Sequence, residues 1–283
     1  MKELKTILFP TDFTEDATQA YIYALNVAAR TGAELHLLHV IEDPFDFATR
    51  VEETVEVLIE EAESRFEQIK AEARQEKEYQ QVSLESYVFR GDPDEVINQT
   101  AEDIGADLLI MGTKGESSLK RILYGNVTSD VILDSTVPIM TVPINSKKPY
   151  LDRFLFATDF RSRDMEALQT TVTLAKAFNA EVHVLHVSEK KELDVDIRFR
   201  GFKDLIKETI DYSPIFFHHI EADRFSQGVS KFLDEYHISL IIIIRYKKVF
   251  LRTLLWANNT QELTYHTTVP MLVYVPGEDP GSG

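Results

Sequence analysis

The sequence predicts an α/β protein made of two tandem open parallel five-stranded sheets with helices on both faces. Three observations predict it: the chain has 283 residues, enough for about two domains; short apolar runs alternate with amphipathic helical patterns; and the first half of the chain is repeated in the second. Alternation of strand and helix favours parallel pairing, with helices covering the sheet. In such folds ligands bind beyond the carboxyl ends of the strands, so we look for chemistry in the loops there.

Two segments of the first half recur in the second half at a constant separation of 147 residues. TILFPTDF at 6–13 corresponds to RFLFATDF at 153–160, and ELHLLHV at 34–40 corresponds to EVHVLHV at 181–187. The closing segments, TVPIM at 136–140 and TVPML at 268–272, lie 132 residues apart, so the second copy is about 15 residues shorter. We therefore predict one domain at residues 1–146, a second at 147–277 and a flexible tail at 278–283.

The elements of the first copy follow from the spacing of its apolar residues. Apolar runs of strand length predict strands at Thr6–Phe9, Leu35–Val40, Val82–Phe89, Asp107–Met111 and Ile139–Val142. Apolar residues three to four apart predict helices at Asp16–Arg30, Phe47–Tyr79, Asp94–Ile104 and Leu119–Leu133. Gly32 should end the first helix, because glycine adopts the left-handed conformation readily. In the second copy we predict the last two strands at Leu240–Ile244 and Met271–Val275.

Composition excludes several classes of function. The chain has 47 acidic and 30 basic residues, for a net charge of −17, of which residues 1–146 carry −16. Such a charge disfavours binding to nucleic acid or to an anionic membrane, since both are polyanions. Cysteine is absent, which excludes disulfides, cysteine-ligated metals and a thiol nucleophile. With neither an apolar leader nor a run of ~18 apolar residues, we expect a cytoplasmic protein.

The segment Pro10-Thr11-Asp12 places a carboxylate at the end of the first strand. Two interpretations of Asp12 remain open: it bonds a ribose hydroxyl or an adenine amine, as acidic residues do in dinucleotide folds, or it caps the next helix. Val40, at the end of the second strand, can offer backbone groups to a base.

A glycine-rich segment follows the fourth strand. Gly112 and Gly115 allow the backbone to turn tightly and approach a ligand, and Gly125 precedes a helical pattern whose amides can face an anion. A plain turn followed by a helix cap is the alternative. Lys114 does not belong to a Walker loop, because the required order of glycine, lysine and hydroxyl residue is missing. The residues able to cap this helix or bond a phosphate oxygen are Asn126, Thr128 and Ser129.

Taken in order, these segments resemble the universal stress protein family in its tandem two-domain form, over residues 3–276. The resemblance implies an adenine nucleotide alpha hydrolase-like, Rossmann-like fold and a site for ATP. Because the acidic first copy repels an anionic nucleotide, we expect Mg²⁺ to accompany it on the phosphates. The resemblance places adenosine at Asp12 and the backbone of Val40, beside Pro10 and Thr11. The family's glycine motif ends in Ser or Thr, where this chain has Asn126, whose amide can still donate a hydrogen bond. On the phosphate side the resemblance places Met111, Gly112, Lys114, Gly115, Gly125, Asn126, Val127 and Thr128.

The second copy departs from the motif. It has no glycine between Gly228 and Gly277, and Ala157 replaces Pro10 although Asp159 persists. We expect this copy not to bind ATP in the family manner, because side chains block the close backbone approach. Two interpretations of its basic residues remain open: a site for another anion or a solvated loop. Those residues are Arg245, Lys247, Lys248 and Arg252.

These features lead us to expect an ATP-binding regulatory protein of the stress response that is not an enzyme and acts on an unidentified protein partner. The alternatives are a nucleotide-free interaction protein and a slow ATPase. By resemblance to the family's dimer, the terminal strands of the two copies would pair within the chain, and further homodimers would be possible. Histidines three apart on a strand, such as His36 and His39, should point to opposite faces and not share a metal ion.

Overall fold

The structure, a computed structural model, describes residues 3–42, 51–113, 126–146, 149–190, 192–246 and 268–276. These residues form two compact units, the first unit (Leu4–Ile144) and the second unit, the described residues that follow it. Each unit contains five parallel strands, with helices on both faces, so the predicted fold class is confirmed. The predicted tail at 278–283 lies outside the described residues.

In the first unit the strands lie in the order β3-β2-β1-β4-β5. The chain therefore changes direction across the sheet between β1 and β4, and in open sheets ligands bind at this switch point. The elements are β1 (Thr6–Pro10), α1 (Glu15–Thr31), β2 (Glu34–Ile41), α2 (Val51–Gln75), β3 (Leu84–Arg90), α3 (Pro93–Asp103), β4 (Leu108–Thr113), α4 (Asn126–Asp134) and β5 (Ile139–Pro143).

The predicted end of α2 was wrong. The helix stops at Gln75, not at Tyr79, and β3 starts two residues later than predicted. Successive turns replace the last part of the predicted helix: the amides of Glu76, Tyr79 and Val82 each donate to the carbonyl three residues back. These turns bring the chain round to β3. The start of the predicted helices at Phe47 and Leu119 lies outside the described residues.

In the second unit the order is β10-β9-β6-β7-β8. Strand β9 has the predicted bounds, and β10 ends one residue earlier than predicted. The elements are β6 (Arg153–Ala157), α5 (Asp164–Phe178), β7 (Glu181–Ser188), α6 (Leu193–Thr209), β8 (Ile215–Glu221), α7 (Phe225–Glu235), β9 (Leu240–Ile244) and β10 (Met271–Tyr274).

The sequence repeat is visible in the strand register. Ile7 of β1 pairs with Leu108 of β4, and Phe154 of β6 pairs with Leu240 of β9, so both repeat separations are kept. The same alignment makes Tyr246 the counterpart of Lys114. Strands β5 and β9 are buried along their whole length, as expected for parallel strands covered on both faces.

Candidate functional site

The loop after β1 is tied to the neighbouring strand β2. The amide of Thr11 donates to the carbonyl of Leu38 at 2.8 Å, which extends the ladder by one residue. The carbonyl of Thr11 lies 2.8 Å from Nδ1 of His39. A carbonyl can only accept, so this contact requires the proton on Nδ1. His39 therefore holds the loop in place at the carboxyl edge of the sheet.

Asp12 lies exposed in this loop. Its Oδ1 accepts hydrogen bonds from the amide of Thr14 at 3.0 Å and from the hydroxyl of Thr14 at 2.6 Å. The carboxylate thus organises the turn that leads into α1. The N-cap position of the helix is Thr14, without a side-chain cap bond, so Asp12 itself is not the cap. Among the described residues these bonds use Oδ1 alone, so Oδ2 keeps its capacity to accept from a ligand.

Phe13 has a backbone conformation that the sequence does not predict. Its φ is +56°, in the region that favours glycine, which costs on the order of 1–3 kcal/mol for other residues. The ring packs 4.6 Å from His39 and 5.0 Å from Phe66, between centroids. The counterpart Phe160 in the second unit has φ +58°. The contacts of the half-buried Phe13 ring offset the strain and fix the direction in which the preceding residue, Asp12, leaves the strand.

The end of β4 is connected to the first turn of α4. Thr128 is buried, and its hydroxyl donates to the carbonyl of Gly112 at 3.3 Å. The hydroxyl of the next residue, Ser129, is also buried and has no hydrogen-bond partner among the described residues. The first amides of α4 therefore lie next to the end of β4, where a helix can bind an anion.

The structure brings the described members of the predicted site to one edge of the first unit. Pro10, Thr11 and Asp12 lie at the end of β1, Val40 near the end of β2, Met111 and Gly112 in the last part of β4, and Val127 and Thr128 in the first turn of α4. Lys114, Gly115, Gly125 and the side chain of Asn126 lie outside the described residues. Binding of a ligand by this set stays a prediction.

Acidic side chains at the start of α3 add negative charge near α4. A hydrogen bond with Asp92 raises the pKa of Asp94 to about 6, and burial and the charge of Asp92 act in the same direction. Asp130 of α4 contributes a smaller repulsion. An anion at the first turn of α4 would meet this unfavourable field.

In the second unit a buried carboxylate fills the equivalent loop. Asp164 is fully buried, and its Oδ2 accepts from the hydroxyl of Thr158 at 2.5 Å and from the amides of Asp159 and Arg161 at 3.0 and 3.1 Å. The hydroxyl of Tyr246 donates to Oδ1 of the same carboxylate. Asp164 thus gathers four donors from the loop after β6 and from the residues after β9.

The side chain of Tyr246 contacts the loop after β6. Burial, followed by the hydrogen bond to Asp164, holds the pKa of Tyr246 above its ordinary value. The Arg161 guanidinium lies 4.6 Å from the centre of the ring and 3.6 Å from the carboxylate of Asp159. In the first unit Ala17 stands where the second has Asp164, so the carboxylate that anchors this network has no counterpart there. Sequence analysis missed the network, although an acid five residues after Asp159 was visible.

A serine, a histidine and an aspartate also meet near the end of β7. Oγ of Ser188 lies 2.8 Å from Nε2 of His219, and Nδ1 of His219 lies 3.8 Å from Asp196. The hydroxyl of Ser188 donates to the carbonyl of Lys190 at 3.0 Å, which makes its oxygen an acceptor for His219. The aspartate contact exceeds a hydrogen bond, so this group lacks the geometry of an activated serine.

Neither a metal cluster nor a membrane span was found in the part of the chain that the structure describes. No three of its histidine and acidic side chains are placed to hold a metal ion. None of its helices is both long and apolar enough to cross a bilayer.

The fold and the loops at its carboxyl edge define a tandem α/β protein built from two related units, each with a parallel five-stranded sheet. The sequence model described as the Universal stress protein family matches residues 3–143 and 151–201, and the chain belongs to that family, as its resemblance predicted. It is similar to a universal stress protein of Methanocaldococcus jannaschii, with 35% identity over 158 residues covering 49% of this chain and 94% of that protein. A second universal stress protein of that organism is 32% identical over 149 residues, covering 51% and 83%.

The fold is also similar to that of a solved structure. A universal stress protein from Archaeoglobus fulgidus superposes with a TM-score of 0.74 at 22% identity. The match covers 98% of this chain and 100% of that one, so it extends over both units. At this identity the likeness supports the fold alone.

Proposed function

We propose that the chain is a cytoplasmic, ATP-binding regulatory protein of the stress response, in which the first unit binds the nucleotide and the second is structural. The observation that carries the proposal is the difference between the two carboxyl edges. Asp12 is exposed, and its Oδ2 takes no part in the hydrogen bonds of the local turn. In the second unit Tyr246 instead donates a hydrogen bond to Asp164 and stacks with the guanidinium of Arg161.

Each part of the nucleotide has a partner of suitable chemistry in this proposal. Oδ2 of Asp12 accepts from the ribose hydroxyls, and the backbone of Val40 faces the base. The first amides of α4 face the phosphates, because the helix dipole favours negative charge there. The buried hydroxyl of Ser129, which has no partner in the part of the chain that the structure describes, is consistent with a polar ligand at this end of the helix.

Mg²⁺ accompanies the nucleotide in this proposal, held by the phosphate oxygens. The first 146 residues carry a net charge of −16, and Asp92 and Asp94 lie at the start of α3. A divalent cation on the phosphates reduces the repulsion between this field and the triphosphate. We expect ATP affinity to fall when Mg²⁺ is removed with EDTA.

The test is the pair of variants Asp12→Ala and Asp159→Ala, which remove the equivalent carboxylate from each unit. We expect Asp12→Ala to weaken ATP binding about 10- to 100-fold, since a hydrogen bond to a charged group contributes about 1.5–3 kcal/mol. Asp159→Ala should leave the affinity unchanged. Isothermal titration calorimetry with ATP and Mg²⁺ measures both, and thermal unfolding checks that each variant is folded.

Absence of binding by the unmodified chain at millimolar ATP with Mg²⁺ would contradict the proposal and favour a nucleotide-free interaction protein. An equal loss in both variants would contradict the assignment to the first unit. In the proposal ATP is a ligand and not a substrate. Phosphate release by the purified chain, abolished in Asp12→Ala, would instead support the slow ATPase.

A further inference from the structure

Two histidines on neighbouring strands of the second unit contact each other beneath α7. Nδ1 of His183 in β7 lies 3.1 Å from Nε2 of His218 in β8, and the rings stack with centroids 5.2 Å apart. His183 is only 4% exposed. Neither residue takes part in the candidate site, which lies at the carboxyl edge of the other unit.

Aromatic rings surround the pair. Phe232 of α7 and Tyr236, the residue that follows α7, lie 4.8 and 5.1 Å from His218, between centroids. Phe216 lies 5.1 Å from His183 on its other side. His218 is half-buried, so a positive charge on it would face apolar rings in place of part of its water.

The carboxylate of Glu181 faces the pair and also contacts an arginine. Glu181 of β7 lies 3.3 Å from Nε2 of His183, and Arg153 of β6 lies 3.1 Å from the same carboxylate oxygen. Among the described residues, the phenol of Tyr236, just after α7, also faces the pair. The charge of Arg153 opposes protonation of His183, whereas Glu181 favours it.

The contacts are satisfied when both imidazoles are neutral. Nε2–H of His183 then donates to Glu181, and Nε2–H of His218 donates to Nδ1 of His183, an assignment that follows from the acceptor at one end. With one added proton the pair keeps its hydrogen bond, because Nδ1–H of His183 can donate to Nε2 of His218 when the proton of His218 is on Nδ1. When both imidazoles are charged, two N–H groups face each other at 3.1 Å. A further proton on His218 would place a charge on a half-buried ring beside these aromatic side chains. Burial lowers the pKa of His218 to about 4, with a smaller contribution from His183.

The first unit has the same arrangement with a different partner. Nδ1 of His36 lies 3.0 Å from the hydroxyl of Tyr87 in β3, and Nε2 of His36 lies 3.3 Å from Glu34. Tyr87 occupies the position of His218, since β3 and β8 pair with β2 and β7 in the same register. A phenol gains no charge between pH 4 and 8.

We propose that the His183–His218 pair is an acid-sensitive latch that holds β8 on β7 at neutral pH and releases β8 on acidification, whereas Tyr87 keeps β3 in place in the first unit. Because the pKa of His218 lies lower in the folded state than when β8 is released, the latch holds fully above about pH 6.5 and weakens as the pH falls toward 4. Strand β8 is the last strand in the order of its unit, with β7 as its strand neighbour.

Hydrogen exchange of the backbone amides at pH 7 and pH 5, corrected for the intrinsic rate, tests the latch. A shift of the His218 pKa from 6.5 to about 4, reduced for partial exposure, increases the opening of β8 about tenfold between these pH values. The variant His218→Tyr, which copies the first unit, should abolish this increase. The reciprocal variant Tyr87→His should confer it on β3.

Equal opening of β8 at the two pH values in the unmodified chain would overturn the proposal. So would an acid response retained in His218→Tyr. If that variant does not fold, NMR titration of the histidines in the unmodified chain decides the question, because a measured pKa for His218 near 6.5 removes the physical basis of the latch.

Discussion

Replacing Asp164 with alanine is expected to lower the free energy of unfolding of the second unit by about 3–5 kcal/mol. The carboxylate is fully buried and accepts from Thr158, Tyr246 and two backbone amides. Removing it leaves these donors without an acceptor, and each unsatisfied buried group costs about 1–3 kcal/mol unless water reaches it. Urea unfolding followed by hydrogen exchange in β6 measures the loss in this unit separately from the other.

The variant Tyr246→Phe is the matched control for this prediction. It removes one donor and leaves the carboxylate bonded to the other three, so a loss of about 1 kcal/mol is expected. A loss below 1 kcal/mol in Asp164→Ala itself would show that the network does not form in solution. Both variants should leave the unfolding of the first unit unchanged, because sites without shared partners act independently.

The fold was largely predictable because the sequence repeat and the spacing of the apolar residues indicate the same elements independently. Strand β9 has the predicted bounds, since its five residues are fully buried and bordered by residues of different character. The end of α2 was not predictable in the same way. No glycine or proline stands between Gln75 and Leu84, and apolar burial on the helix ends at Ala73. The return to β3, not a local signal, ends the helix there.

The sequence predicted which loops form the candidate site, but it did not predict which side chains contact each other there. Strand ends located Asp12 and Gly112, because the carboxyl ends of parallel strands share one edge. The positive φ of Phe13 could not be predicted from the sequence, because packing of the ring, and not a glycine, permits it.

The contacts specific to the second unit depend on strand register. The bond between Asp164 and Tyr246 joins residues 82 positions apart. Sequence analysis correctly expected His183 and His186 to face opposite sides of the sheet, and they pack under α7 and against Phe160, respectively. The pairing of His183 with His218 across two strands required the register of β7 and β8, which periodicity does not supply.

Replacing Gly228 with alanine is expected to destabilise the second unit by about 1–3 kcal/mol through overpacking. A Cβ at this position in α7 would lie 2.4 and 2.6 Å from the two methyl groups of Val187 in β7. The helix must therefore move away from the strand. Gly201→Ala is the control with the opposite sign: in α6 nothing lies within 4 Å of the new Cβ, so alanine should stabilise by about 0.5–1 kcal/mol through its higher helix propensity.

The double variant Gly228→Ala/Val187→Ala separates overpacking from any intrinsic effect of alanine in α7. Removing the two Val187 methyl groups leaves its Cβ as the nearest contact, at 3.1 Å, so most of the clash disappears. Urea unfolding of both single variants and the double variant should then give a favourable coupling energy of about 1 kcal/mol or more. If the two losses simply add, steric contact with Val187 is not what requires glycine at this position.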